Sequence, residues 1–149
     1  DCLNSADSLF VVHASAVLGV VRQPLVQFGA EQSEITVYRF ADSLQSLIPN
    51  ALLRVDSFLG APYDHAYIMG KGSFYCSGLI YELFKSDSLF QLQPMTFKNP
   101  ETGEFHPTWI QHYERLGVEI PEGLPGCNPN GMAAAECLHF MGVLSVSKQ

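Results

Sequence analysis

The first forty residues carry hydrophobic patterns that predict strands. A continuous apolar run within residues 8–14 predicts a buried strand, and residues 17–21 predict a second strand, which the Gln-Pro pair at 23–24 ends. The short interval between the two runs favours a hairpin. Residues 34–40 alternate polar and apolar side chains, many of them β-branched or aromatic, which is typical of a strand. We expect this strand to extend the same antiparallel sheet, with residues 25–29 as a short connection.

Helical spacing follows the strands. Apolar residues recur every three or four positions after residue 42, and because Pro49 suits the first turn of a helix, we predict a helix over residues 49–59. A second amphipathic helix begins at Cys76, with its apolar face formed by Leu79, Ile80, Leu83 and Phe84. Pro107 begins a short helix. Residues 132–137 predict a helical turn, and residues 138–144 predict a last strand.

The region between the cysteine helix and the last strand is rich in proline. Residues 86–131 hold six of the nine prolines, interleaved with bulky apolar residues. This pattern is typical of an ordered segment that covers a core rather than of a linker. With 149 residues, of which 47% are hydrophobic, the chain is long enough to bury a core, and we expect residues 1–149 to form a single domain.

Charge and hydropathy exclude several classes of partner. Eight Lys and Arg against 15 Asp and Glu give a net charge of −7, whereas nucleic acids and anionic membranes attract basic surfaces. No apolar run approaches the roughly 20 residues that a transmembrane helix needs. The four cysteines form no CxxC pair, so we expect no zinc site, and we expect no cofactor. We expect Cys127 and Cys137 to be free thiols, and the alternative is a disulfide between them in an oxidising compartment. The sequence does not indicate an oligomeric state.

Cys76 is the strongest candidate for a catalytic group. It falls in the first turn of its predicted helix, after a loop in which Gly70 and Gly72 supply flexible backbone. Unpaired N–H groups and the positive end of the helix dipole favour a thiolate at such a position, and the same N–H groups can hold an oxyanion. The alternative is structural, because free cysteine is often buried among apolar residues.

A cysteine nucleophile needs a base, and the sequence holds five histidines. His13 stands out because it ends an apolar strand and is followed by small residues at 14–16, which leave room for a substrate. The alternative for His13 is a histidine with structural hydrogen bonds near a strand end. His65 lies in the loop that leads to Cys76. The other three fit surface or structural positions: His106, His112 and His139.

Taken together, several strings of the sequence resemble the YiiX-like branch of the NlpC-type cysteine peptidases. The strings are VVHA at 11–14, GVVRQPL at 19–25, LGAPYD at 59–64 and FYCSGLIY at 74–81, followed by PMTF at 94–97, PTW at 107–109 and IPEG at 120–123. The sheet precedes the cysteine helix, which is the circularly permuted order. The resemblance implies an α+β fold with a papain-like core, in which an antiparallel sheet packs against the helix that carries Cys76.

The resemblance also implies an activity, namely hydrolysis of an amide bond through an acyl-enzyme on Cys76. The N–H groups at Cys76 and Ser77 would receive the oxyanion. Tyr63, Asp64 and Tyr75 would line the cleft. The alternatives are that Asp64 caps a turn and that both tyrosines belong to the core.

A cell-wall peptide or a related small amide is the implied substrate, and a bacterial cell envelope or secreted location goes with it. Two other functions compete with this one. The permuted core also resembles that of lecithin:retinol acyltransferase-type enzymes, which implies lipid acyl transfer or ester hydrolysis. The third is a catalytically inactive module that holds a peptide or a lipid in the cleft.

One departure from the family pattern concerns the base. Members of this branch carry the catalytic histidine on a Ser-His-Val-Gly-Ile type strand, followed about 15 residues later by an acidic residue. Here His13 occupies the acidic position and the earlier strand is absent, so we expect a strand or helix to be missing before Asp1. His13 would then orient an upstream imidazole. If residues 1–149 are complete, His13 must act as the base itself, or the site is degenerate.

Overall fold

The computed structural model describes residues 9–145. In chain order its strands and helices are β1 (Phe10–Ser15), β2 (Gly19–Pro24), α1 (Leu25–Ala30), β3 (Glu34–Phe40), α2 (Ile48–Val55), α3 (Cys76–Phe84), β4 (Gln93–Pro94), α4 (Pro107–Leu116), β5 (Pro125–Gly126), α5 (Pro129–Ala133) and β6 (Leu138–Ser145). Two 3-10 turns, Asp42–Leu47 and Lys85–Asp87, lead into α2 and out of α3. Every helix in this part of the chain is too short or too polar to cross a membrane.

The predicted hairpin is present, since β1 pairs antiparallel with β2. Ser8, the first position of the predicted strand, lies outside the described residues. Two backbone hydrogen bonds attach the hairpin to the loop after α2: the Val20 N–H donates to the Ala61 carbonyl over 2.8 Å, and the Gly60 N–H donates to the Val20 carbonyl over 2.9 Å. A Cβ at Gly19 would collide with the Ala61 carbonyl oxygen, so this close approach requires glycine.

The third strand does not extend the hairpin. Among residues 9–145, β3 pairs only with β6, antiparallel, from Glu34 opposite Ser145 to Phe40 opposite Leu138. The prediction that β3 joins the sheet of β1 and β2 is therefore wrong. The physical reason is that residues 25–29 form most of helix α1 rather than a plain connection, and this helix turns the chain away from β2 before β3 begins.

Helix α2 ends earlier than the predicted range of 49–59. It begins at Ile48, with Pro49 in the first turn as expected, and ends at Val55. The N–H groups of residues 57 and 58 donate to carbonyls three positions back, which tightens the chain into turns instead of continuing the helix. Gly60, with φ of +82°, lies in the left-handed region at the predicted stop.

The core surrounds α3. Leu79, Leu83 and Phe84 of this helix are buried. They pack with buried residues of the hairpin, of α2 and of the region after α3, namely Ala14, Val20, Ala51, Val55, Phe90 and Met132. Burial of one Leu or Phe side chain stabilises a fold by about 1.5–3 kcal/mol. The apolar face of α3 therefore fixes the position of its first residue, Cys76.

The proline-rich segment 86–131 contains short, well-capped elements. β4 pairs antiparallel with β5. Helix α4 begins at Pro107 as predicted, and the side chain of His106 caps it by accepting the N–H of Thr108. The predicted helical turn at 132–137 lies partly in α5, which starts earlier because Asn128 caps it by accepting the N–H of Gly131 over 2.8 Å. The last strand, β6, covers the predicted range.

Candidate active site

Cys76 is the first residue of α3, and its side chain is exposed. The preceding residue, Tyr75, is extended, with φ of −90° and ψ of 169°, and its side chain provides no cap. The first acceptor of the helix is the Tyr75 carbonyl, which receives the Leu79 N–H over 2.9 Å. The N–H groups of residues 76–78 therefore have no acceptor within the helix and remain available to a ligand beside the thiol.

The Cys76 side chain faces a cavity of about 830 Å³. Its neighbour Ser77 lines the same cavity, whose other walls come from residues 88–97 and 126–137, together with Tyr67 and Trp109. Much of the wall is apolar or aromatic, and this part consists of Leu89, Phe90, Met95, Phe97, Trp109 and Met132. A concave, largely apolar cavity with a few polar groups at one end is typical of a small-molecule site.

Tyr75 and Ser77, the two neighbours of Cys76, hold the opposite wall in place. The Tyr75 hydroxyl accepts the Cys127 N–H over 3.1 Å and lies 3.6 Å from the Cys127 sulfur. The Ser77 hydroxyl donates to the Cys127 carbonyl over 3.0 Å. Both side chains are 2% exposed, so these bonds satisfy polar groups that would otherwise be buried without partners. The structure thus gives both residues a role in shaping the cavity.

Two further thiols, Cys127 and Cys137, lie in the wall of the cavity, and burial affects their ionisation. Cys76, Cys127 and Cys137 are all free and all line the cavity. Burial raises the pKa of Cys127, although hydrogen bonds from Tyr75 and Ser77 oppose the shift. Burial also raises the pKa of Cys137. Both wall thiols therefore stay protonated to higher pH than an ordinary cysteine.

Asp64 closes a turn close to the cavity. Its carboxylate is 5% exposed and accepts the N–H of Ala66 over 2.9 Å and the N–H of Ile68 over 2.7 Å. This is the turn-capping role that the sequence left as an alternative, and Asp64 is not among the residues that line the cavity.

Tyr63 is not among the residues that line the cavity. It is partly buried and packs against the core that contains α3, with its ring 4.9 Å from that of His65 and 6.4 Å from that of Tyr67. Burial raises the pKa of its phenol above the ordinary value. These contacts match the core alternative for Tyr63.

The structure does not bring His13 to Cys76. Along β1, Val12 and Ala14 pack into the core that contains α3, and side chains alternate along a strand, so His13 points to the opposite face. There its Nε2 lies 2.8 Å from the Gln23 side-chain oxygen, and its ring meets Phe28 edge-on at 5.0 Å. These contacts match the structural alternative for His13.

The other four histidines are also placed away from the thiol. The His112 Nε2 lies 2.8 Å from the His65 carbonyl, and the His65 ring stacks against Tyr63 at 4.9 Å. His106 caps α4, and His139 lies in β6 opposite Arg39. Within residues 9–145, none of the residues that line the cavity is a histidine.

Sequence reasoning predicts only three of the residues that line the cavity: Tyr75, Cys76 and Ser77. Among those it missed are Tyr67, Trp109 and Cys127. A sequence signal for Cys127 exists in the Pro-Gly-Cys-Asn-Pro string at 125–129, since such a string marks a tight, fixed turn that can form the wall of a cleft.

A crystal structure with the same fold is known from Escherichia coli O157:H7 and is described as the metalloprotein yiiX. It is 21% identical in sequence, covers 89% of this chain and 74% of its own chain, and superposes with a TM-score of 0.71. The term metalloprotein describes the Escherichia coli protein. In the described part of our chain, no three His, Cys, Asp or Glu side chains lie close enough together to hold a metal ion. No curated protein sequence matches the chain.

The sequence profile of one protein family matches residues 3–142. The family is described as permuted papain-like amidase enzymes, YaeF/YiiX, C92 family. The match and the shared fold confirm the predicted α+β architecture of permuted papain-like type and the predicted cysteine hydrolase class. The chain belongs to the C92 family of permuted papain-like amidases.

Proposed function

We propose that the protein hydrolyses an amide bond by transferring the acyl group to Cys76. The observation that carries this proposal is the exposed Cys76 side chain at an uncapped helix start, facing a cavity of about 830 Å³. A nucleophile needs access to the substrate, and the cavity gives that access. Helix N–H groups beside the sulfur supply the electrostatic support that a developing anion needs.

The reaction proceeds in two steps. The Cys76 sulfur attacks the amide carbonyl carbon, the carbonyl oxygen becomes an oxyanion, and the C–N bond then breaks as the amine leaves with a proton. A thioester remains on Cys76. Water attacks the thioester carbon, the C–S bond breaks, and a proton from the water returns to the Cys76 sulfur as the acyl group leaves as a carboxylic acid, which ionises to the carboxylate.

In this proposal the start of α3 holds the oxyanion. The N–H groups of Cys76 and Ser77 belong to the first turn of α3 and have no acceptor within the helix. Removal of one such donor costs about 100- to 1,000-fold in kcat in enzymes of this type.

We infer that His13 does not take the thiol proton itself. Its ring contacts Gln23 and Phe28 on the face of β1 that points away from α3, and these contacts give it a structural role in the hairpin.

A cell-wall peptide, or a related small amide, is the substrate we propose, together with a cell-envelope or secreted location. The resemblance to NlpC-type peptidases supports this choice. The net charge of −7 further favours a substrate without a large negative charge.

The test compares hydrolysis of γ-D-glutamyl peptides by the wild type and by Cys76→Ala. We expect release of the amine by the wild type and a loss of at least about 1,000-fold in the variant. Cys137→Ala is the matched control, because Cys137 also lines the cavity as a free thiol. Activity that survives Cys76→Ala would refute the proposed nucleophile. A wild type that binds these peptides without cleaving them would support the inactive binding module.

Lipid acyl transfer or ester hydrolysis is the second candidate, and the apolar wall of the cavity favours it. Six of the lining residues are Leu, Phe, Met or Trp, and such a wall suits an acyl chain better than a charged peptide. Phospholipids in place of the peptides distinguish the two functions. Faster Cys76-dependent turnover of the lipid than of the peptide would select the second candidate.

A further inference from the structure

The cavity runs along α3 from one end of the helix to the other. At the start of α3, Tyr75 and Ser77 hold Cys127, as described above. Beyond the end of α3, the Cys137 thiol donates to the Leu89 carbonyl over 3.7 Å. Cys127, Cys137 and Leu89 all line the cavity. Because α3 has nine residues and a helix rises about 1.5 Å per residue, the two ends of the cavity lie about 12 Å apart.

Glu136 lies at the end of the cavity that is far from Cys76. It precedes Cys137 in the turn between α5 and β6, and its side chain is exposed. Among the lining residues that the structure describes, Glu136 is the only Asp, Glu, Lys, Arg or His. The three ion pairs formed within residues 9–145 involve other side chains. The Glu136 carboxylate is therefore available to a cation that binds in the cavity.

Apolar side chains separate the Cys76 thiol from this carboxylate. Phe90 and Met132 line the cavity and are also part of the buried core around α3. Leu89, beside Phe90, lines the cavity and is partly buried against the same core. Such a wall binds methylene groups in preference to charged ones. A ligand that spans the cavity is thus best matched if it is apolar in the middle and positively charged at the end.

We infer that Glu136 is a specificity-determining residue, which binds an ammonium or guanidinium group at the end of an aliphatic chain of the substrate. The inference rests on the proposed function, in which the scissile carbonyl lies at Cys76. When lysine is the leaving amine, seven bonds of about 1.5 Å separate the carbonyl carbon from the side-chain nitrogen, or about 9 Å in an extended chain. A charge-assisted hydrogen bond adds about 2.8 Å, so the chain reaches Glu136. The net charge of −7 adds to the attraction.

The test compares γ-D-glutamyl-lysine with γ-D-glutamyl-norleucine, which keeps the aliphatic chain and lacks the ammonium group. We expect the wild type to have a KM roughly 2- to 5-fold lower for the lysine peptide, as for an ion pair exposed to water, with similar kcat. Higher salt concentration should reduce this preference. Glu136→Gln should remove it. Glu119→Gln is the matched control and should keep it, because Glu119 is exposed and lies outside the cavity.

Binding measured without turnover separates this inference from the proposed function. Calorimetry gives the dissociation constants of both peptides for Cys76→Ala, with and without Glu136→Gln. If Cys76→Ala prefers the lysine peptide and the double variant does not, Glu136 is the cation site, even if the wild type hydrolyses neither peptide and the proposed function fails. Equal affinity of Cys76→Ala for the two peptides, a preference that survives in the double variant, or no binding of either peptide would overturn the inference even if Cys76 is the nucleophile.

Discussion

The start of α3 and the β1–β2 hairpin differ in how they relate to the cavity. At the start of α3, three consecutive residues meet it: Tyr75 and Ser77 bind the opposite wall, and Cys76 between them is exposed to it. The hairpin contributes Ala14 and Val20 to the core, while its one candidate for chemistry, His13, faces Gln23 and Phe28 instead. Both regions are firmly attached to the core.

The difference shows that attachment to the core and access to the site are separate properties. A helix start can present one side chain to a cavity while its neighbours fix the wall, because successive helical residues point in different directions. A strand has only two faces. Because the core covers one face of β1, the His13 side chain lies on the other. The structure therefore places Cys76 at the cavity and His13 away from it.

Among changes on the α3 side that leave Cys76 in place, the largest effect is expected from Tyr75→Phe. The change removes the hydroxyl that accepts the Cys127 N–H and leaves that N–H buried without a partner, which should lower the free energy of unfolding by about 1–3 kcal/mol. KM should rise as the wall loosens. Chemical denaturation of the variant beside Tyr38→Phe measures the first effect. A Tyr75→Phe protein as stable and active as Tyr38→Phe would show that the Cys127 contact does not shape the site.

A smaller effect is expected from His13→Gln on the hairpin side. A histidine that faces away from Cys76 should cost at most about 10-fold in kcat, well short of the ~100- to 10,000-fold that a direct general base supplies. Gln23→Ala, which frees the His13 ring from its partner, should give a similar or smaller loss. Steady-state kinetics on both variants measure these losses in kcat. A loss above about 100-fold in His13→Gln alone would contradict the position of His13 described above.

The smallest effect is expected in the labelling rates of the free thiols that line the cavity. Because burial raises the pKa values of Cys127 and Cys137, less thiolate forms on them than on an ordinary cysteine, and near pH 8 they should react with iodoacetamide more slowly than the exposed Cys76. Raising the pH should reduce the difference in labelling rate between Cys76 and the two wall thiols, since the wall thiols then ionise. Peptide mapping by mass spectrometry measures the extent of labelling at each cysteine. Equal labelling of Cys76 and Cys127 near pH 8 would contradict the burial of the wall.

The sequence was most informative where local pattern decides structure. The helix at Cys76 follows from apolar spacing within nine residues, and α4 follows from a proline in its first turn. The partner of β3 depends on β6, about a hundred residues later, and no local pattern specifies such a pairing. The direction of the His13 side chain depends on which face of β1 the core covers. Tyr67 was missed because its conformation is imposed by bonds from Asp64 and α4 rather than by its own propensity.

The most direct test of the central claim is a mass measurement of the acyl-enzyme. The protein is mixed with excess γ-D-glutamyl peptide, quenched in acid within the first turnovers, digested and mapped. The account predicts an acyl group in thioester linkage on the peptide that contains Cys76, absent from Cys76→Ser. Hydrolysis of the substrate with no adduct on that peptide in either pre-steady or steady state, or an adduct on Cys127 instead, would contradict it.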